Sequence, residues 1–173
     1  MPADDRRVTY CRIMTTRCVH LFYGLSGSGK STLARQLCAE GSTVRFTLDE
    51  WMLRLHPELR FDTAQYGERV GAVRELIWSV AEQVLATGVD VALDWNSWSP
   101  DHRAWAVQRA RAGGAEVVIH WLTTSADVAA RRLEARSAAE LPYAHPTTAA
   151  GNEHLQTLME DPDPAEGLRI VRH

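Results

Sequence analysis

Residues 24–32 read GLSGSGKST, and their spacing decides the fold. Gly24 is followed by four residues and then by Gly29, Lys30 and Ser31, the pattern GxxxxGK[ST]. Glycines at 24, 27 and 29 let backbone N–H groups converge on an anion with no side chains in the way. Lys30 has the reach for the β- and γ-phosphates of a nucleotide, and the Ser31 hydroxyl suits a magnesium ion. The segment expected to bind nucleotide is therefore Gly24, Leu25, Ser26, Gly27, Ser28, Gly29, Lys30, Ser31 and Thr32. The competing reading, a glycine-rich turn with an incidental lysine, is weakened by the flanks. Residues 18–23, CVHLFY, are a short apolar run rich in β formers, and 31–40, STLARQLCAE, place Leu33, Ala34 and Leu37 at helical spacing before Gly41. A strand, a loop and a helix in that order aim the helix's positive end at phosphate. The chain is expected to bind ATP or GTP together with magnesium.

Outward from the loop, strands and helices alternate. Residues 43–48, TVRFTL, read as a second strand ending at Asp49, and 51–66 as short helix and loop. From 68 to 86, Val70, Val73, Ile77, Val80, Ala81 and Val84 recur as one face of a long amphipathic helix. DVALDW (90–95) is a third strand, again with an aspartate near its end, Asp94. Ser99 and Pro100 look like an N-cap and first helical residue of a helix to about Ala112. EVVIHWL (116–122) is a fourth strand, 126–138 a helix with three arginines, 141–151 a loop, and 149–159 a further helix. DPDPAEG (161–167) is a turn before a last strand, 168–172. Near-continuous apolar strands alternating with helices give an α/β layer fold, a parallel sheet covered on both faces.

The 173 residues suit one domain with a full core. Residues 18–173 are taken as that domain and 1–17 as an N-terminal extension, of which 1–13 are frayed or an overcalled start. The opening MPADDRRVTYCRIM lacks the apolar core of a signal peptide. With 45% hydrophobic and 24% charged residues the composition is that of a soluble globular protein, and no apolar run reaches membrane-spanning length. A net charge of −3 disfavours a long polyanionic partner such as nucleic acid. Three cysteines without a CxxC pair, Cys11, Cys18 and Cys38, fit a reducing cytoplasm better than a disulfide framework or a zinc site.

Ligands of parallel α/β sheets sit outside the carboxyl ends of the strands. Asp49 and Asp94 are expected there. One such acid can hold magnesium through its water shell, and the other can accept the proton of an attacking hydroxyl. The bland alternatives are an N-cap for Asp49 and a loop-bonding acid for Asp94. In AARRLEARSA, Arg132 and Arg136 stand four apart on one helical face, placed to neutralise a transferring phosphoryl group unless they are ordinary surface charges.

HLFYGLSGSGKSTLARQL, TLDEWM, VALDWNSWSPDHR and GAEVVIHWLTTSADVAARRLEARSA together resemble the small P-loop kinases of the zeta-toxin and chloramphenicol-phosphotransferase type, proteins also described as AAA domain ATP-binding proteins. The resemblance spans about residues 18–172. It implies a five-stranded parallel sheet of order 2-3-1-4-5 and phosphoryl transfer from ATP to a small-molecule hydroxyl. By the same resemblance Asp49 matches the acid facing the acceptor, Lys30 and Ser31 the γ-phosphate and magnesium contacts, Asp94 the acid ending the third strand, and Arg132 and Arg136 the lid-helix arginines. DPDPAEG matches a loop that lies near the adenine. The segment after Arg136 departs from the pattern, being too short and arginine-poor for the mobile lid of adenylate kinase.

Trp51, Trp95 and Trp98 fall just past expected strand ends, where aromatic faces suit a sugar, an aromatic antibiotic or a nucleobase, or else simply pack the core. Trp78 and Trp105 lie inside helices and read as packing. Arg54, Arg60, Arg69 and Arg74 could hold a phosphate on the acceptor, or be surface charges. The favoured function is an ATP- and magnesium-dependent phosphotransferase acting on a small-molecule hydroxyl, with Trp51, Arg54, Trp95 and Trp98 as candidate acceptor contacts. The alternatives are a polynucleotide 5′-hydroxyl kinase, which needs a basic channel, and a regulatory P-loop ATPase that transfers nothing.

Overall fold

The computed structural model describes residues 16–41, 43–60, 63–138 and 149–173, without the side chains of 136–138, 149 and 150. Five parallel strands form one sheet in the order β2-β3-β1-β4-β5, comprising β1 (Cys18–Tyr23), β2 (Thr43–Thr47), β3 (Asp90–Asn96), β4 (Glu116–Trp121) and β5 (Arg169–Arg172). Between them run α1 (Lys30–Glu40), α2 (Leu48–Leu55), α3 (Ala64–Ala86), α4 (Pro100–Ala112), α5 (Ala126–Ala138) and α6 (Ala149–Leu158). This is the five-stranded P-loop NTPase architecture.

Alternation along the strands sorts the core into two layers. Val19, Leu21, Tyr23, Val91, Leu93, Val117 and Ile119 pack with Met52, Val73, Ile77, Ala81, Ala106 and Ala110 on the α2–α3–α4 side. Phe22, Ala92 and Leu122 meet Ala34, Leu33 and Leu37 of α1 on the other. Each fully buried Leu, Ile or Val contributes about 1.5–3 kcal/mol by leaving water. Ile77, with no exposed surface, anchors the middle of α3 in this way.

Helix starts follow local chemistry. The Ser99 side chain accepts from His102 N at 3.3 Å with Pro100 beside it, and Thr63 accepts from Tyr66 N at 3.2 Å. That Thr63 cap starts α3 at Ala64, a turn earlier than the apolar periodicity begins. The second expected strand stops earlier than read: Thr47 is already the N-cap of α2, so Asp49 and Glu50 lie in the first turn of a helix and not at the end of a strand. Carboxylates in that turn are favoured by the helix's positive end.

The sequence switches direction at β1, which sits between β3 and β4, and such a switch point opens a crevice at the strands' carboxyl ends. One irregularity marks the place. His20 pairs with Ala92 but Phe22 pairs with Asn96, so β3 carries two extra residues there, one of them adjoining Asp94. A bulge of this kind re-aims a side chain at a site. At the opposite end, Arg17 fastens the sheet by donating to Leu85 O at 3.0 Å while its own carbonyl accepts from Glu116 N. No helix among the described residues is long and apolar enough to cross a membrane.

Candidate active site

The phosphate loop joins β1 to α1. Gly29 is the N-cap of α1 at φ 106°, with no side-chain cap bond and no acidic residue in the first turn. Among the described residues no side chain therefore satisfies the positive end of this helix, which suits an incoming anion. Gly27, at φ 85°, is required twice over: the left-handed backbone favours glycine, and a Cβ would collide with the carbonyl oxygen of Ala129 in α5. The loop is thus wedged under α5. Arg132 of α5 is exposed, but its Nη1 reaches Ser28 O at 3.4 Å, and Thr124 Oγ1 donates to the same carbonyl at 3.0 Å. Arg136 lies farther along α5, and its side chain is outside the described residues, as is the segment 139–148 in which an arginine-rich lid was doubted.

Lys30 Nζ donates to the carbonyls of Gly24 at 2.7 Å and Leu25 at 2.8 Å, curling back over the loop it follows. Ser31 Oγ donates to Asp94 Oδ1 at 3.0 Å. Asp94 is buried, and its other oxygen, Oδ2, accepts Arg45 Nε at 2.7 Å and Nη2 at 2.5 Å. A hydroxyl and a carboxylate are hard oxygen donors of the kind magnesium takes alongside water and substrate phosphate. The pair fits that ion, and among the described residues there is no cluster of three His, Cys, Asp or Glu side chains to compete for it. Arg45 was not anticipated, although an arginine inside a five-residue strand was a visible signal.

Asn152 was also missed. From α6 its side chain grips the loop apex with a two-way bond, accepting from Ser26 N at 3.0 Å and donating to Ser26 O at 2.8 Å. Nothing local marks it, because the partners are 126 residues apart. A cleft of about 220 Å³ opens beside the loop, lined by Tyr23, Leu25, Trp121, Thr124, Met159 and Asp161. Tyr23 Oη donates to Asp161 Oδ1 at 2.7 Å, and burial followed by that bond pushes the phenol pKa up. DPDPAEG thus borders the cleft through Asp161. Its other acids are committed elsewhere: Asp163 caps a 3₁₀ turn, and Glu166 pairs with Arg103.

Arg103, fully buried in α4, is the brace of this end of the fold. It sends Nε and Nη2 to the two oxygens of Glu166 at 2.6 and 2.7 Å, Nη1 to Ser97 O and Glu160 O at 3.1 and 2.9 Å, and Nη2 also to Asp161 O at 3.4 Å. Helical spacing with Ala106, Val107 and Ala110 puts it on the buried face, so its burial was readable; its partners were not.

On the far side of the loop, Asp49 is exposed in the first turn of α2. Its charge is felt by Tyr66 of α3, whose pKa is pushed up to about 12, first by burial and then by Asp49. The candidate acceptor contacts divide. Trp51 and Trp95 pack partly into the core, Trp51 edge-on to Phe46 at 6.3 Å. Trp98 is half-buried and meets His102 edge-on at 4.8 Å. Arg54 is exposed and pairs with Glu50 at 2.8 Å.

Solved structures share the fold at low identity. A candidate kinase from Chloroflexus aurantiacus superposes with TM-score 0.69 at 19% identity over 91% of this chain and 88% of its own. The Pnkp1/Rnl/Hen1 RNA repair complex contains a chain matching with TM-score 0.65 at 18% identity, over 86% of this chain and 47% of its own. A gluconokinase from Sinorhizobium meliloti matches with TM-score 0.55 at 18% identity, over 91% of this chain and 81% of its own. No curated protein matches the chain. The family model described as AAA domain matches residues 19–160, and the chain belongs to that family of P-loop proteins.

Proposed function

We propose that this protein is an ATP- and magnesium-dependent phosphotransferase of the zeta-toxin and chloramphenicol-phosphotransferase type that moves the γ-phosphate to a hydroxyl of a small molecule. The observation that carries the reading is the Ser31–Asp94 hydrogen bond next to a helix start that no described side chain caps, with Asp49 exposed in the helix that follows strand β2. That arrangement supplies a phosphate cradle, a metal-holding pair and a separate acid for an acceptor.

In this reading the backbone N–H groups of residues 27–32 and Lys30 hold the phosphates, and the base lies toward the cleft lined by Tyr23, Trp121 and Asp161. Ser31 and Asp94 would hold magnesium, which supplies charge neutralisation on the phosphate oxygens. Asp49 accepts the proton of the acceptor hydroxyl as that oxygen bonds to the γ-phosphorus. The bond from phosphorus to the β–γ bridging oxygen breaks, leaving ADP. Arg132 and Arg136 offset the charge that spreads over the phosphoryl oxygens during transfer. Trp51, Arg54, Trp95 and Trp98 are the proposed acceptor contacts, with Trp98 best placed because it is neither deep in the core nor held by an ion pair.

The test is incubation of purified protein with magnesium and ATP and a panel of hydroxyl compounds: antibiotics, nucleosides, nucleotides, sugars, sugar acids and 5′-hydroxyl oligonucleotides, each read by mass spectrometry. A small molecule heavier by one phosphoryl group supports the proposal. Transfer to oligonucleotides alone, or ATP hydrolysis with no phosphorylated product, overturns it.

A further inference from the structure

Six buried side-chain nitrogen or oxygen atoms have no hydrogen-bond partner among the described residues. One is Ser28 Oγ in the phosphate loop. The other five belong to α3 and the end of β3: Arg74 Nε and Nη2, Trp78 Nε1, and both amide atoms of Asn96. Arg74 is the costliest of these. Arg74 is half-buried, but a guanidinium cannot shed its proton, so shielding its Nε and Nη2 without a partner must be offset elsewhere.

Two other arginines of the chain show the usual solution. Arg103 turns Nε and Nη2 to the two oxygens of Glu166, and Arg45 turns the same two nitrogens to Asp94. Nε and Nη2 form the side-on edge of the guanidinium fork, whose parallel N–H groups match two oxygens of a carboxylate or a phosphate. Arg74 has that same edge shielded from water with no acceptor on it. Its face is covered, since the guanidinium carbon lies 4.5 Å from the centre of the Trp105 ring. The nearest acid along the chain, Glu75, is already taken by Arg109 at 2.7 and 2.9 Å and by Trp105 Nε1 at 2.9 Å.

The position is as informative as the edge. Tyr66, Val70 and Arg74 recur at every fourth residue on one face of α3, and Tyr66 senses the charge of Asp49. His102, in the first turn of α4, follows the strand end that carries Asp94 and Asn96. Burial, and after it the charge of Arg74, holds the His102 pKa down. A neutral imidazole beside Arg74 can share a hydrogen bond without adding a rival charge. Arg74 thus stands two helical turns along α3 from Tyr66, stacked on Trp105 of α4 and near enough to His102 for its charge to be felt there.

We propose that the Nε–Nη2 edge of Arg74 binds an oxyanion, a carboxylate or a phosphate, carried by the acceptor whose hydroxyl meets Asp49. The inference rests on the phosphotransferase reading and names its acceptor class. Two helical turns, about 12 Å of rise, separate Tyr66 from Arg74. The hydroxyl and the oxyanion are then several bonds apart, as in a sugar acid, a sugar phosphate or a nucleoside monophosphate.

Two measurements test it. The first titrates inorganic phosphate, and separately formate, into protein saturated with magnesium and a non-hydrolysable ATP analogue, followed by the fluorescence of Trp78 and Trp105. Wild-type protein shows saturable binding, Arg74→Gln weakens it by about 10- to 100-fold, and Arg74→Lys restores part of it, because lysine keeps the charge and lacks the fork. Whichever of the two anions binds more tightly identifies the preferred oxyanion. The second compares matched acceptors, nucleoside against nucleoside monophosphate and glucose against gluconate. The anionic member is preferred by roughly 100-fold in kcat/KM, and Arg74→Gln removes the preference mainly through KM. Equal anion binding by wild type and Arg74→Gln, or equal transfer to the neutral members, overturns the inference. Anion binding that depends on Arg74 without transfer to any compound supports the anion site and overturns the phosphotransferase reading instead.

Discussion

In the phosphate loop the polar groups, Ser28 Oγ apart, have found one another. Lys30 is on two carbonyls, Ser31 on Asp94, Asp94 on Arg45, and Ser26 on Asn152. Between α3 and the end of β3 the reverse holds, with Arg74 Nε and Nη2, Trp78 Nε1 and both amide atoms of Asn96 shielded from water and without a hydrogen-bond partner among the described residues. In the proposed function the first region's polar groups exchange their internal bonds for phosphate oxygens. The second has polar groups whose bonds are not made by the described residues. The same molecule handles the shielded edge of a guanidinium in both ways, satisfied at Arg103 and unsatisfied at the half-buried Arg74. Satisfaction there is structural, and its lack is where a ligand is expected.

Breaking the satisfied side gives the largest effects. Lys30→Ala should abolish ATP turnover, and activity within about tenfold of wild type would refute the site assignment. Asp49→Asn should slow transfer by about 10²–10⁴-fold while ATP affinity, measured by calorimetry, stays nearly constant. Joint loss of both would make Asp49 a structural or metal-holding group. Arg103→Met should destabilise the fold by about 3–5 kcal/mol in denaturant melts, because Glu166 and three carbonyls lose their donor. Arg74→Met, by contrast, should cost little or even stabilise, since no partner is stranded. Equal losses at the two arginines would erase the comparison. Asn152→Ala should weaken ATP binding by about tenfold, one bond's worth of loop order.

A last, smaller effect concerns pH. His120 hydrogen-bonds His20 at 3.0 Å and His173 at 2.9 Å, and burial, then the charges of His20, His173 and Arg169, lower its pKa to about 4. The unfolded chain binds that proton near the ordinary histidine value and the folded chain does not. Stability is therefore complete at neutral pH and falls as pH drops from about 6.5 toward 4. Thermal melts across that range should show the decline, and His120→Phe should flatten it.

How much of this was legible in the chain follows from the separation of the partners. The phosphate loop is a nine-residue signal flanked by its own strand and helix, so its place and its use of glycine could be read directly. The layer order came with the family resemblance and holds in the sheet. Asp49 was found but set on the wrong element, because Thr47 caps a helix with no side-chain bond to announce it. Trp51 and Trp95 looked like acceptor platforms by position alone, and packing against the core claims part of each. The Arg103–Glu166 and Ser26–Asn152 pairs span 63 and 126 residues, and no local pattern encodes such contacts. Arg74 stood among four arginines with equal standing; only burial singles it out.

The most direct test of the two-sided site is the rate of ADP formation by wild type and Asp49→Asn, each with and without a mixture of anionic hydroxyl acceptors. The account predicts slow turnover by wild type alone, marked acceleration by the mixture, and loss of only the accelerated part in Asp49→Asn. A rate that ignores both the acceptors and Asp49 would contradict it, leaving a P-loop ATPase in which the region around Arg74 serves some purpose other than phosphoryl transfer.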